Sequence, residues 1–403
     1  MNPWLRYLVW PLVKFLIAFI VVQLIVTAMT YIERRVLGFI QARLGPNRVG
    51  NDALYKVTPG FIHRFIPGGL LQAIADPIKL LLKEDILPSS AEKIAYFLGP
   101  MLPLIPAFVV FCLIPFGPGP AFIAARVNVG LLLVLALTST AVYGIILGGW
   151  ASNNKYSLMG GLRSAAQMVS YEVPFGLSIV GVLMICGSLD LVTIVHYQER
   201  NAWNVLPQIV ACFIFFVSMN AENNRTPFDL PEAESELVAG FHTEYSGMKF
   251  AFFMLAEYSM MLVNSCLMVL LYLGGWSLGG VVGERQIGLT TTVLQHMGWI
   301  GGLIGLFIFT MKVMTFMMIY IWFRATFPRF RFDQLMDLGW KWLIPLALAN
   351  IVITGVAVLI PHGEQVLSAF GAVVIIATIA FVVRGPKPVP RRQVMNASRV
   401  SEA

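Results

Sequence analysis

Nine apolar stretches, each about long enough to cross a bilayer, recur along the chain at 11–32, 94–116, 128–149, 163–187, 203–220, 249–275, 298–323, 341–360 and 366–383. A helix of about 20 residues matches the hydrocarbon thickness of a membrane. Within that layer backbone N–H and C=O groups must bond to each other, so only helices and closed barrels cross it. Runs of this length select helices. A soluble alternative fails on charge. Charged residues make up 12% of the chain and hydrophobic residues 58%, whereas a soluble domain carries roughly 25% charged residues. The sequence therefore reads as an all-α polytopic membrane protein with about nine transmembrane helices. Residues 1–385 form one helical domain in this reading, and 386–403 a flexible, Pro-rich, basic tail. The first apolar segment lacks a small-residue cleavage site and reads as a span, not a signal peptide.

The net charge of +7 belongs to topology here and does not point to nucleic acid. Twenty-two lysines and arginines fall on one side of the nine spans and four on the other. Lys14 and Lys312 lie within spans. Basic loops stay in the cytoplasm, which predicts an outside N-terminus and a cytoplasmic C-terminus. The cytoplasmic segment 33–93 holds Leu70, Leu71, Ile74, Ile78, Leu81 and Leu82 at helical spacing, interleaved with Gln72, Lys79 and Lys83. It predicts an amphipathic helix that lies on the membrane surface or against a partner protein, with a kink at Pro77.

Two acids, Glu172 and Glu257, interrupt spans. A charge at mid-bilayer costs about 2.5–3.5 kcal/mol on insertion scales, and such acids default to function. Counted from the cytoplasmic ends of their spans, both lie roughly 12–14 Å deep. Lys312, at roughly 16 Å, offers a structural alternative as an ion-pair partner. Pro174 frees the carbonyl of Ser170 beside Glu172, which favours a hydrated pocket. The loop 221–248 carries Glu222, Asp229, Glu232, Glu234, Glu236 and Glu244 against Arg225 alone. Crowded acids repel and take up protons more readily. They suit proton transfer, while composition alone leans to a solvated face that meets a basic partner.

No motif for a redox centre is present. The four cysteines contain no CxxC, and the five histidines all fall between spans. Iron–sulfur, zinc and bis-histidine haem sites therefore lack their spacing. GxGxxG and Walker A patterns are absent. Ion movement or a lipophilic ligand remains.

Several segments carry a resemblance. They are Glu33-Arg34-Arg35-Val36-Leu37-Gly38 and Gln41-Ala42-Arg43-Leu44-Gly45-Pro46-Asn47-Arg48-Val49-Gly50, then Ala75-Asp76-Pro77-Ile78-Lys79-Leu80 and Ser170-Tyr171-Glu172-Val173-Pro174. The longest is Ala221-Glu222-Asn223-Asn224-Arg225-Thr226-Pro227-Phe228-Asp229-Leu230, continuing through Glu232, Glu234 and Glu236 to Glu244-Tyr245. Ala256-Glu257-Tyr258, Arg324-Ala325 and the run from Pro328 to Met336 follow. Over roughly residues 11–360 the chain resembles the quinone-channel membrane subunit of respiratory complex I, the proton-pumping NADH:quinone oxidoreductase.

The resemblance implies a quinone, ubiquinone or menaquinone, as substrate, entering a tunnel beside Glu33, Arg34, Arg35, Arg43 and Asp76. It implies a proton-transfer chain of Glu172, Glu222, Asp229, Glu232, Glu234, Glu236, Glu244 and Glu257. FMN, iron–sulfur clusters and haem are expected to be absent from this chain, with electrons arriving from an iron–sulfur centre in another subunit. The implied partners are the peripheral quinone-site and iron–sulfur subunits, antiporter-like membrane subunits and the lipid bilayer. The implied location is a bacterial plasma membrane. The ninth span and tail exceed shorter family members. A free-standing cation transporter and the related subunit of a membrane-bound hydrogenase are the competing classes. Copurification separates the three.

Overall fold

The structure, a computed structural model, describes residues 9–49, 69–231, 234–282 and 285–384, with backbone alone at 11, 234, 235, 280–282, 285–287 and 377–384. Glu232 and the tail 386–403 lie outside the described residues.

The helices are α1 Trp10–Ile40, α2 Gln72–Leu82, α3 Lys93–Val110, α4 Gly130–Ser139, α5 Ala141–Ala151, α6 Lys155–Cys186, α7 Leu191–Arg200 and α8 Ile209–Glu222. They continue as α9 Glu234–Leu237, α10 Gly247–Tyr272, α11 Thr291–His296, α12 Gly298–Thr326, α13 Phe332–Asp337, α14 Ile344–Leu359 and α15 Gly363–Arg384. Two three-residue strands, Gly280–Val282 and Arg285–Ile287, pair antiparallel after α10. They sit between spans.

Among the described residues, seven helical segments are long and apolar enough to cross a membrane, and Ile209–Glu222 and Gly363–Ile376 are shorter apolar helices. All nine expected segments thus carry helix. The boundaries differ where backbone chemistry intervenes. The third segment is two helices, α4 and α5, meeting at Thr140. The eighth begins at Phe332 and passes through a π-helical turn, Leu338–Leu343. α1 runs eight residues past its expected end. Glu33, Arg34 and Arg35 therefore stand on a helix, not in a loop.

α10 is the axis of the bundle. From Ser259 to Tyr272 every residue is buried, and its small and polar members, Ser259, Asn264 and Ser265, let neighbours approach. α1, α3 and α12 pack against it. α3 also packs on α5, where a Cβ on Gly99 would meet the Gly148 Cα at 2.9 Å. That contact is open only to glycine. α6 is the longest helix and touches α5, α8 and α14. Its ends are fixed locally. The Asn154 side chain caps the first turn by accepting from the Tyr156 N–H, and Gly187 ends the helix in the left-handed region at φ 64°.

α2 has no buried residue, yet it packs on α1 and α10. Ile74, Ile78, Leu81 and Leu82 are exposed. That is the amphipathic helix expected from the sequence, with Pro77 inside it.

Candidate functional site

Glu33 is the centre of the site. It is 4% exposed, and burying a carboxylate costs several kcal/mol unless partners replace its water. Three partners do. Arg225 Nη1 lies 3.1 Å from Glu33 Oε1, Arg324 Nη1 pairs with the same oxygen, and the Tyr258 hydroxyl donates to Glu33 Oε2 at 2.6 Å. Arg225 also ion-pairs through Nε with Glu257, and its guanidinium lies 4.4 Å from the Tyr258 ring centroid. Glu257 and Tyr258 are consecutive on α10. They point about 100° apart and so bracket one guanidinium between them. Burial works against the Arg225 charge. The Glu257 and Glu33 carboxylates overcome it and hold its pKa well above the ordinary value.

The backbone turn that delivers Arg225 follows directly from the end of α8. Asn224 adopts φ 50°, a left-handed conformation asparagine tolerates. Buried Gln167 on α6 donates to the carbonyls of Ala221 and Phe228, both at 2.7 Å. One side chain thus pins the turn on both sides of Arg225. Phe330 N–H donates to the Pro227 carbonyl at 3.1 Å, and Phe228 lies against Tyr171 and Phe330.

A cavity of about 500 Å³ opens beside this cluster. α1 contributes Glu33 and Arg34, α2 contributes Asp76 and Leu80, and Glu257, Tyr258 and Arg324 also line it. Arg34 binds Asp76 at 2.7 Å, and Gln72 donates to the same carboxylate at 2.6 Å. The first of these bonds ties α2 to α1 beside the cavity, and the second, within α2, holds the Asp76 carboxylate in place. Arg35 turns to Tyr31 Oη at 2.5 Å and to the Phe39 ring, and Arg43 bonds Gln41 at 2.6 Å. Neither of these two arginines is among the lining residues.

A second, small cavity of about 40 Å³ lies between Glu257 and Glu222. It has room for about one water molecule. Asn264, two turns beyond Glu257 on α10, donates to Glu222 at 3.3 Å. Glu222 is also close enough to Glu172 for the two to interact electrostatically. Glu172 is exposed on the chain taken alone.

The remaining acids of the loop are not crowded, in contrast to the expectation from sequence. Each one whose side chain is described has its own partner: Asp229 with Arg329 at 2.8 Å, Glu236 with Arg163 at 2.7 Å, and Glu244 with the Asn154 amide at 2.6 Å. The arginines are distant in sequence, Arg163 on α6 and Arg329 in the segment between α12 and α13, which a local charge count misses. Glu234 lies on α9, and of this residue only the backbone is described. Lys312 does not pair with Glu172 or Glu257. Its ammonium donates to the carbonyls of Leu273, Gly275 and Ser277 at 2.6, 3.0 and 2.7 Å, just beyond the far end of α10. It closes the free carbonyls there. Arg324, Tyr258 and Gln167 carry roles that the sequence reading did not assign. The first two stand inside quoted motifs, and Gln167 gave no sequence signal. Among the described residues no group of three His, Cys, Asp or Glu could hold a metal ion.

Fold and site together define a polytopic helical membrane protein with an ionic cluster in the lining of one cavity. A family model described as NADH dehydrogenase matches residues 13–355. An NADH-quinone oxidoreductase subunit of Geobacillus kaustophilus is 47% identical over 80% of this chain and 86% of its own length. The subunit of the same name from Brevibacillus brevis is 45% identical over 88% and 95%, and one from Geobacter metallireducens 44% over 88% and 97%. The chain belongs to the NADH dehydrogenase family, and its relatives are subunits of an oxidoreductase. The family resemblance carried by the motifs holds.

Proposed function

We propose that this chain is the quinone-side membrane subunit of a proton-translocating NADH-quinone oxidoreductase in a bacterial plasma membrane. It frames the quinone entry path and begins a carboxylate relay toward the membrane arm. The observation that carries this reading is that Glu257 lines both the large cavity and the small one that reaches Glu222.

The quinone is substrate, and its electrons arrive from an iron–sulfur centre in a partner subunit. The large cavity has an apolar wall for an isoprenoid tail and an ionic end at Glu33, Arg225 and Glu257. Reducing a quinone takes up two protons with two electrons, so the charge near this end changes on turnover. Protonation of Glu257 removes one of the two carboxylates on Arg225. A proton then passes across the small cavity to Glu222 and on to Glu172. The exposure of Glu172 suits a handover to an antiporter-like membrane subunit. Asp229, Glu232, Glu234, Glu236 and Glu244 belong to the loop that meets the peripheral subunits.

Arg34→Ala tests the entry path. Its pair with Asp76 is half exposed on the arginine side, and such pairs contribute about 0.2–1 kcal/mol. The KM for quinone should therefore rise by no more than about fivefold, while ferricyanide reduction by the assembled complex survives. Equal loss of both activities points to misassembly and removes the reading.

Orientation is tested at Ser89, in an exposed turn between α2 and α3. In the proposed topology, a Ser89→Cys variant is shielded from an impermeant thiol reagent in intact cells. It is labelled in inverted vesicles. Labelling from outside overturns the topology.

A further inference from the structure

We propose that the groove beside the N-terminal half of α1 binds one acyl chain of a phospholipid of net negative charge, whose phosphate is met by Lys14. The groove has a volume of about 330 Å³ and lies between α1, α10 and α12, with the turn Pro120–Phe122 closing one end. Val13, Ile17 and Val21 line it from α1, Leu262 from α10, and Leu306 and Phe309 from α12. The α1 residues recur every four positions and form one continuous apolar face.

Lys14 is the one charged residue among the described lining. Its ammonium donates to the Pro120 carbonyl at 2.5 Å and the Ile123 carbonyl at 2.9 Å. An ammonium carries three N–H donors. Two carbonyls fix its position, and a third donor remains for an anion. Carbonyls do not neutralise the charge, whereas a phosphate does.

Two further observations set the depth. Trp10 and Trp299 line the same groove and are strongly exposed, and tryptophan collects at the headgroup level of a bilayer. From Lys14 to Ile25, the last lining residue on α1, the helix rises about 16 Å. One leaflet of a hydrocarbon core about 30 Å thick spans about 15 Å. The groove is one acyl chain deep, with its cation at the headgroup end. An isoprenoid quinone tail matches the apolar wall but brings no anion to Lys14, which decides for the phospholipid.

The test uses the whole purified complex in nanodiscs of phosphatidylcholine. Phosphatidylglycerol carrying a diazirine on one acyl chain is the probe, and cross-linked peptides are read by mass spectrometry. Labelling of α1 within Val13–Ile25 should saturate with probe fraction. Lys14→Leu should raise the half-saturating fraction by roughly tenfold, the loss of one charge-assisted hydrogen bond. Ala18→Phe, which fills the groove, should abolish saturable labelling in a complex that still assembles on a native gel. Excess long-tail quinone should leave the labelling unchanged. Labelling that grows linearly with probe fraction means bulk lipid only and overturns the site. Displacement by long-tail quinone gives the groove to that tail and overturns the assignment. Should Ala18→Phe not assemble, saturation in the unmodified complex and the Lys14→Leu shift decide the matter.

Discussion

Replacing Arg225 with methionine is expected to reduce assembled complex and NADH:quinone turnover together, by about one hundredfold or more. Arg225 is buried and holds two carboxylates, Glu33 and Glu257. Removing one partner from a buried ion pair costs about 3–5 kcal/mol, because a charge is left without compensation. Glu33 keeps Arg324 and Tyr258, while Glu257 loses the guanidinium that ion-pairs with its Oε1. The double variant Arg225→Met/Glu257→Gln should therefore assemble better than the single one. Residues in one network are not additive, and the difference between single and double variants measures their coupling. Native-gel content and thermal unfolding of the complex check this. Wild-type assembly and rate in Arg225→Met would show that the cluster carries neither stability nor function.

The second large effect concerns the proposed relay. Glu257→Gln and Glu172→Gln keep size and an acceptor oxygen but cannot titrate. Both variants should assemble, and turnover coupled to pumping should fall by roughly one hundredfold, the usual size of a lost acid–base group. Electron transfer should fall with it, since a coupled machine stalls at its blocked step. Proton uptake into vesicles is measured beside NADH oxidation and assembly. Full assembly, normal turnover and unchanged pumping yield in both variants would make these acids structural. Glu172 is the sharper test, because its exposure leaves packing little changed by the substitution.

The sequence disclosed the fold well because its signal is thermodynamic. Apolar runs must become helices in lipid, and each of the nine segments carries one. Boundaries were less legible. Where Glu33-Arg34-Arg35 begins, hydropathy drops, so the run suggests a loop. The helix nevertheless continues to Ile40, because Glu33 finds its cations within the protein rather than in water. The candidate site was legible as a set of acids and not as a network. Arg225 stood out as the lone cation of an acidic loop, but its two carboxylates come from α1 and α10, 192 and 32 positions away. No local pattern encodes those distances. Lys312 shows the converse. By depth alone it looks like a partner for an acid, whereas backbone carbonyls beyond Tyr272 accept its hydrogen bonds.

The small cavity between Glu257 and Glu222 has an electrical consequence. A unit charge that crosses the whole membrane at 100 mV gains about 2.3 kcal/mol. The cavity holds about 40 Å³, little more than the roughly 30 Å³ that a water molecule occupies in the liquid. A proton that crosses a roughly spherical space of that volume, about 4 Å wide, moves through about a seventh of a hydrocarbon core about 30 Å thick at most, and exchanges about 0.3 kcal/mol with the field. This exchange is less than thermal energy. In the proposed relay the first transfer is therefore nearly voltage-blind. It can proceed at full rate against a fully charged membrane, and the work against the potential falls on later steps.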